Sequence, residues 1–347
     1  MTTRLSRSLA LLLLVLLASA CETATDPIDG DAFQATLEQY QALDAALASP
    51  ALAGFRALGG RTPYGASRSI DLLSALVHDA PAQAAAAASG AALAPIISET
   101  HRGKTFIYDA AQDRYVLSQR SGAPATGVRF IVYEVDAAGR PIVGRETGYA
   151  DLIDEGDGSD RDVALRLKVV RGSETVLDYR TTLDDGPTQG LLAVHGFLIG
   201  DNDVEVEFDV DATGRKQLNG GELDIDFEIA IDQRDFSITG QLRGARAGVE
   251  GEGEIDVTVR HRDHSIRLDA EGASGQIDAS FFVDGELFAT AEGSAQSPTV
   301  LGRDGQPITG VEALVLLRIW DSLEDVFDLL EDLIDPVDDI VFWGIAL

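Results

Sequence analysis

Glu222-Leu-Asp-Ile-Asp-Phe-Glu-Ile229 sets four acids on one side of an extended chain and four hydrophobes on the other. Period two is the signature of a strand with one wet and one buried face. Ile255-Asp-Val-Thr-Val-Arg260 and Ser265-Ile-Arg-Leu-Asp269 repeat the pattern downstream. Upstream, Val128-Arg-Phe-Ile-Val-Tyr-Glu-Val135 and Val204-Glu-Val-Glu-Phe-Asp-Val210 read the same way, and Phe106-Ile-Tyr and Tyr115-Val-Leu flank a turn. From Thr105 to about residue 293 the spacing predicts roughly a dozen to fourteen strands. No long helical segment lies between them to make parallel crossovers, so the sheet is expected to be mainly antiparallel.

Turn signals separate the strands. Asp284-Gly285 is a two-residue hairpin loop. Asp136-Ala-Ala-Gly139-Arg and Asp211-Ala-Thr-Gly214-Arg read as a matched pair of hairpin loops with glycine in the left-handed position.

An apolar sheet face needs a cover, and helical periodicity suggests one. Phe33, Leu37, Tyr40, Leu43 and Leu47 share a face over residues 31–48. Ser49-Pro50 restarts a short helix that Gly59-Gly60 stops, and Ile70, Leu73, Leu76 and Val77 open a third over about 70–89. Leu316, Trp320, Leu323, Phe327, Leu330 and Ile334 line an amphipathic helix over 311–335 that ends before Pro336, with Asp321, Glu324, Asp325 and Asp328 on its other side. The expected fold is therefore α+β and β-dominated: a large antiparallel, meander-like sheet covered by N-terminal helices and a C-terminal amphipathic helix. The apolar end, Ile340–Leu347, is expected to tuck into the core.

The first twenty residues read as an export signal. Arg4 and Arg7 precede an apolar run, Leu9–Leu17, and the small residues Ala18, Ser19 and Ala20. Nine apolar residues span about 13 Å as a helix, against about 30 Å for a bilayer core. The run ends at Cys21, the only cysteine in the chain. Leu17-Ala18-Ser19-Ala20-Cys21 resembles the lipobox of bacterial lipoproteins, with Ala18 where that class usually has leucine. The resemblance implies cleavage before Cys21, acylation of its thiol and new amine, and membrane attachment through those chains. Glu22, in place of the aspartate that often retains such proteins at the inner membrane, points to the outer membrane. Ala18-Ser19-Ala20 also fits an ordinary A-x-A cleavage site, which would release a periplasmic or secreted soluble protein. The resulting organisation is a signal peptide at 1–20, a lipidated cysteine and tether at 21–30, a helical region at 31–100, and the β domain with its terminal helix at 101–347. The last two are read as one folding unit.

The chain carries 58 Asp and Glu against 27 Lys and Arg, a formal charge of −31. Loss of Arg4 and Arg7 with the leader leaves 25 basic residues and about −33. Such a surface repels phosphate backbones, which excludes nucleic acid as a partner. It also repels anionic headgroups, so attachment falls to acyl chains.

No motif carries catalysis. The sequence has no H-E-x-x-H, G-x-S-x-G or phosphate-binding glycine loop in a strand–helix context. With Cys21 at the leader junction, no thiol remains for catalysis. His261 and His264 stand three apart, a spacing that shares a metal on a helix but falls on opposite faces along one strand. Asp154-Glu-Gly-Asp157-Gly-Ser-Asp160-Arg-Asp162 is the best calcium-like loop, without EF-hand spacing, and a solvated acidic loop is its simpler reading. Glu205, Glu207 and Asp209 read as a solvated strand face. No cofactor is implied, and no catalytic or metal residue is assigned.

The expected function is that of a lipid-anchored envelope protein with a structural or interaction role. One alternative is a carrier of a lipid or other hydrophobic ligand held between the sheet and the C-terminal helix; that architecture broadly resembles the half-barrel carriers of bacterial envelopes. Another is a secreted hydrolase using a close pair of carboxylates. Its partners are then the membrane and either an envelope protein or a hydrophobic ligand.

Overall fold

The computed structural model describes Ile97, Leu316 and residues 99–156, 162–186, 188–200, 203–217, 220–247, 250–295 and 297–308. The strands fall into two compact units, divided after Leu218. The first holds β1 (Lys104–Asp109), β2 (Arg114–Ser118), β3 (Gly127–Val135), β4 (Pro141–Asp154), β5 (Asp162–Arg171), β6 (Glu174–Asp185), β7 (Gln189–Ile199) and β8 (Glu205–Gln217). The second holds β9 (Gly220–Ile231), β10 (Phe236–Ala247), β11 (Glu250–His261), β12 (His264–Ala273), β13 (Gln276–Val283), β14 (Glu286–Ser294) and β15 (Ser297–Gly302). Within the second unit the sheet order follows the sequence, and every pair is antiparallel. The first unit runs β2-β1-β3-β4-β5-β6-β7-β8, and its one parallel pair is β1 with β3. The antiparallel meander is as the alternation predicts.

The α+β expectation is corrected to all-β. Among the described residues strands hold 74%, helix 2%, no helix reaches seven residues, and none covers the sheet. The described connections between strands hold nothing longer than a 3-10 turn, so most core hydrophobes in this region fall on strands. A single 3-10 turn, Asp232–Arg234, joins β9 to β10. The predicted helices at 31–48, after Ser49-Pro50 and at 70–89, and the apolar end at 340–347, lie outside the described residues. So does 311–335 apart from Leu316, which is helical and 4% exposed. The leader, Cys21 and the tether lie outside them too. No helix among the described residues is long and apolar enough to cross a membrane.

The two-faced pattern is realised strand by strand. In β9, Ile225, Phe227, Ile229 and Ile231 are buried, while Asp226 and Glu228 are exposed. Across the sheet, Ile229 meets Ile238, then Val259, then Ile266. In the first unit, Phe130, Ala150, Val169, Leu177, Leu198 and Val206 form one such buried row.

Two of the three predicted hairpin loops hold. Asp284 and Gly285 both take left-handed φ, 50° and 79°, which a two-residue hairpin of this kind requires. Gly139 takes φ 70° in the turn between β3 and β4. The third, Asp211–Arg215, lies inside β8, with Thr213 opposite Leu191 and Gly214 opposite Gly190. The cause is parity: Ala212 and Gly214 extend the buried series Val206, Phe208, Val210, so the strand continues through the glycine.

Candidate functional site

The register lines up the acids of the second unit into straight rows across its polar face. Asp224 lies opposite Arg243, and Arg243 opposite Glu254. The row continues through Glu271, Asp278 and Glu292. A parallel row runs Asp226, Gln241, Asp256, Asp269, Ser280. Between Gly220 and Ile308 the chain has 18 Asp and Glu against 7 Arg and no Lys, so few of these acids can be neutralised. Arg243 stands between Asp224 at 3.7 Å and Glu254 at 3.4 Å. Arg267 reaches Asp256 at 2.8 Å and Asp269 at 3.1 Å, and the Gln241 amide donates to Asp226 at 2.9 Å. Glu271, Asp278 and Glu292 are successive cross-strand neighbours with no ion pair among the described residues. Like charges directly opposite are destabilising. Along the middle of both rows runs an open groove of about 380 Å³, lined by Arg243, Glu254, Asp256, Asp269, Glu271 and Asp278 among others.

The polar face of the first unit is built differently. Arg129, Asp151, Lys168 and Asp178 alternate in sign along one row. Arg129 donates twice to Asp151, both at 2.6 Å, and its guanidinium lies 3.6 Å from the centroid of the Tyr149 ring. That bidentate bond to Asp151 holds the guanidinium above its ordinary range, against the opposing effect of burial. Arg166 grips Asp178 twice at 2.7 Å, and Arg120 grips Glu146 at 2.8 and 2.6 Å. The Arg120 hydrogen bonds hold the Glu146 carboxyl below the usual range.

Two acids of the calcium-like loop are already committed. Asp154 pairs with Arg102 at 2.9 Å, and Glu155 accepts from the Arg180 Nε at 2.6 Å. Residues 157–161 lie outside the described residues. Glu207 and Asp209 are exposed on β8, as their alternation predicts, and Glu205 is half-buried.

The two histidines depart from the single-strand reading. His261 ends β11 and His264 begins β12, so the hairpin makes them direct cross-strand partners on one face. Their environments still differ. His261 is 3% exposed, while the His264 Nδ1 sits 3.0 Å from the Asp284 carboxylate, whose other oxygen accepts the Ser265 N–H at 2.8 Å. Among the described residues no three His, Cys, Asp or Glu side chains gather as metal ligands.

Sequence reasoning passed over two hydroxyls on β6. Tyr179 is 3% exposed and Thr181 2%, and neither side-chain oxygen has a hydrogen-bond partner among the described residues. Burial pushes the Tyr179 phenol well above its ordinary range. The signal was present as parity, because both residues share the apolar side of β6 with Leu177.

No family model matches the chain, and no curated protein or solved structure matches it either.

Proposed function

We infer that this chain is a lipid-anchored protein of the bacterial envelope, held at the outer membrane through acyl chains on Cys21, with a non-enzymatic structural or interaction role. The leader and its single cysteine support the anchor. The observation that carries the interaction role is the unneutralised run Glu271, Asp278, Glu292 beside paired rows on the polar face of the sheet. Carboxylates spread along a sheet face suit contact with a broad cationic surface better than they suit a reaction at one point. The acidic face also keeps the folded part clear of anionic headgroups, leaving attachment to the acyl chains.

The experiment is metabolic labelling with a fatty-acid analogue in a bacterial host, followed by membrane fractionation. The wild-type chain is expected to carry label and sediment with outer membranes, and Cys21→Ala to lose both. Equal labelling of the two chains, or an unlabelled soluble wild type, overturns the anchor.

A further inference from the structure

β7 is apolar on both faces. Its buried side carries Leu192, Val194 and Leu198, and its other side presents Leu191, Ala193, His195, Phe197 and Ile199. Register puts that second series on the polar face of the first unit: Phe197 lies opposite Asp178, as the next member of the row through Arg129, Asp151 and Lys168. Leu191 is 44% exposed there, and Ala193, Phe197 and Ile199 are half-buried. A strand apolar on both sides is the pattern of a sheet covered on both sides. An apolar stripe with a polar rim marks a contact surface.

The rim is acidic. On β8, Glu207 lies opposite Phe197, Asp209 opposite His195 and Asp211 opposite Ala193; on β6, Asp184 lies opposite Leu191. All four acids are exposed and make no ion pair among the described residues. Arg180, which faces the stripe from β6, is held by Glu155. From Leu191 to Ile199 the stripe runs about 27 Å. An extended peptide bonds to a sheet only at an edge, whereas a helix satisfies its own backbone and can lie on a face. About eighteen helical residues cover that length.

We propose that β7 is the docking stripe for a basic amphipathic helix of a protein partner. The apolar side of that helix covers Leu191, Ala193, Phe197 and Ile199. Its Lys or Arg stems lie over the rim and place their charges on Glu207, Asp209 and Asp211. The chain's own apolar series at 311–335 is a poor match, because Asp321, Glu324, Asp325 and Asp328 accompany it and would meet like charges. A second copy is disfavoured in the same way, at −31 per chain. The proposal goes beyond the anchored-protein reading, since the stripe lies in the first unit and involves neither Cys21 nor the Glu271 row.

The test is fluorescence anisotropy with a labelled amphipathic Leu/Lys peptide of about eighteen residues. The protein is the full mature chain carrying Cys21→Ser, which needs no detergent. At low salt the peptide is expected to saturate one site. A scrambled peptide of the same composition, which has no apolar stripe, should bind at least about tenfold more weakly, and a Leu/Glu peptide should not bind. Leu191→Thr should weaken the Leu/Lys peptide about fivefold. Glu207→Gln with Asp209→Asn and Asp211→Asn should weaken it about tenfold, a difference that 0.5 M NaCl removes. Glu271→Gln with Asp278→Asn, in the second unit, should leave the affinity unchanged. Unaltered circular dichroism guards each variant. Absence of saturable binding overturns the proposal, as does equal binding of the scrambled peptide, an affinity that Leu191→Thr does not change, or equal loss from the β8 and second-unit variants. Dimers of the chain that Leu191→Thr dissolves in sedimentation overturn it in favour of a second copy.

Discussion

Gly240 and Gly244 stand four residues apart on β10, on the same side of the strand, and should respond to alanine with opposite sign. At Gly240 an added Cβ would lie 2.3 Å from Cζ and 2.4 Å from Cε1 of Phe227, the residue directly opposite on β9. The ring has no free direction: Phe227 is 4% exposed, and the row continues through Val257 and Leu268, both buried. Forcing a methyl into such a site costs about 1–3 kcal/mol. Removing glycine from a strand interior returns about 0.5–1 kcal/mol. The expected net loss for Gly240→Ala is therefore about 1–2 kcal/mol. At Gly244 the nearest atom to an added Cβ is the Glu252 carbonyl oxygen at 4.0 Å, so only the gain remains, about 0.5–1 kcal/mol. Urea unfolding followed by circular dichroism measures both, and an unchanged m-value guards the comparison. Phe227→Leu in the Gly240→Ala background closes the cycle, and the coupling should be favourable by about 1 kcal/mol because the shorter side chain makes room for the methyl. Loss of stability of similar size at both positions, or none at Gly240, would refute the packing reasoning.

Glu271 faces an acid on each side, Glu254 and Asp278, so Glu271→Lys should raise stability by about 0.5–1 kcal/mol at low salt, with a smaller gain at 0.5 M NaCl; thermal melts at the two salts decide it, and destabilisation would mean the row is not repulsive. Arg129→Met leaves Asp151, 9% exposed in its side chain, as a largely desolvated unpaired charge, and should cost about 3 kcal/mol in urea unfolding, whereas Arg129→Met with Asp151→Leu should recover most of that. Three carboxyls of the first unit are held below their ordinary range: Glu146 by Arg120, Asp136 by the Arg140 backbone N–H and side chain, and Asp109 by Gln112 and the Ala111 backbone N–H. A depressed carboxyl stabilises the fold above its unfolded value and loses that contribution as pH falls through the folded one. Melting temperature should therefore fall as pH drops below about 4.5, and Glu146→Gln should flatten part of that fall; a pH profile identical to wild type would contradict the assignment.

Period two carried most of the fold, because an antiparallel meander needs only neighbours in sequence to become neighbours in space. Glu222–Ile229 declared its faces, and Asp284-Gly285 its turn, from local chemistry alone. The Asp211–Arg215 reading failed because turn residues were weighed without parity: Ala212 and Gly214 continue the buried series of β8, and the strand absorbs them. The histidine reading failed for the complementary reason, since a turn at Arg262-Asp263 places His261 and His264 on two strands rather than one. The acidic face was legible as a face. Its rows were not, because register depends on the length of every preceding turn. The β6 hydroxyls were visible only as polar letters at apolar parity, a signal that gains meaning once Leu165, Leu167 and Val194 are known to surround them.

The acid rows are sustainable because the opposite face of the same strands outweighs them. Each directly opposed pair of like charges opposes folding by about 0.2–1 kcal/mol, less in salt. Behind them, Ile229, Ile238, Val257 and Val259 are at most 1% exposed. A fully buried side chain of that size contributes about 1.5–3 kcal/mol. Moving from one strand to the next therefore adds more on the apolar side than repulsion removes on the polar side. The balance shifts along the strands. The row Ile225, Leu242, Ile255, Ala270, Ala279 is already smaller, and the next, Leu223, Gly244, Gly253, Gly272, Ile277, has almost no side chain to bury. On the polar side, Glu222 and Glu252 still accompany that glycine row. Repulsion is thus least compensated at this end of the strands, where β10 meets β11 at Ala247 and Glu250. Amide exchange in β9–β14 should run fastest there and slowest beside Ile229 and Ile238, with salt slowing the fast end most. Uniform protection along each strand would mean that packing, not charge, sets local stability throughout this unit.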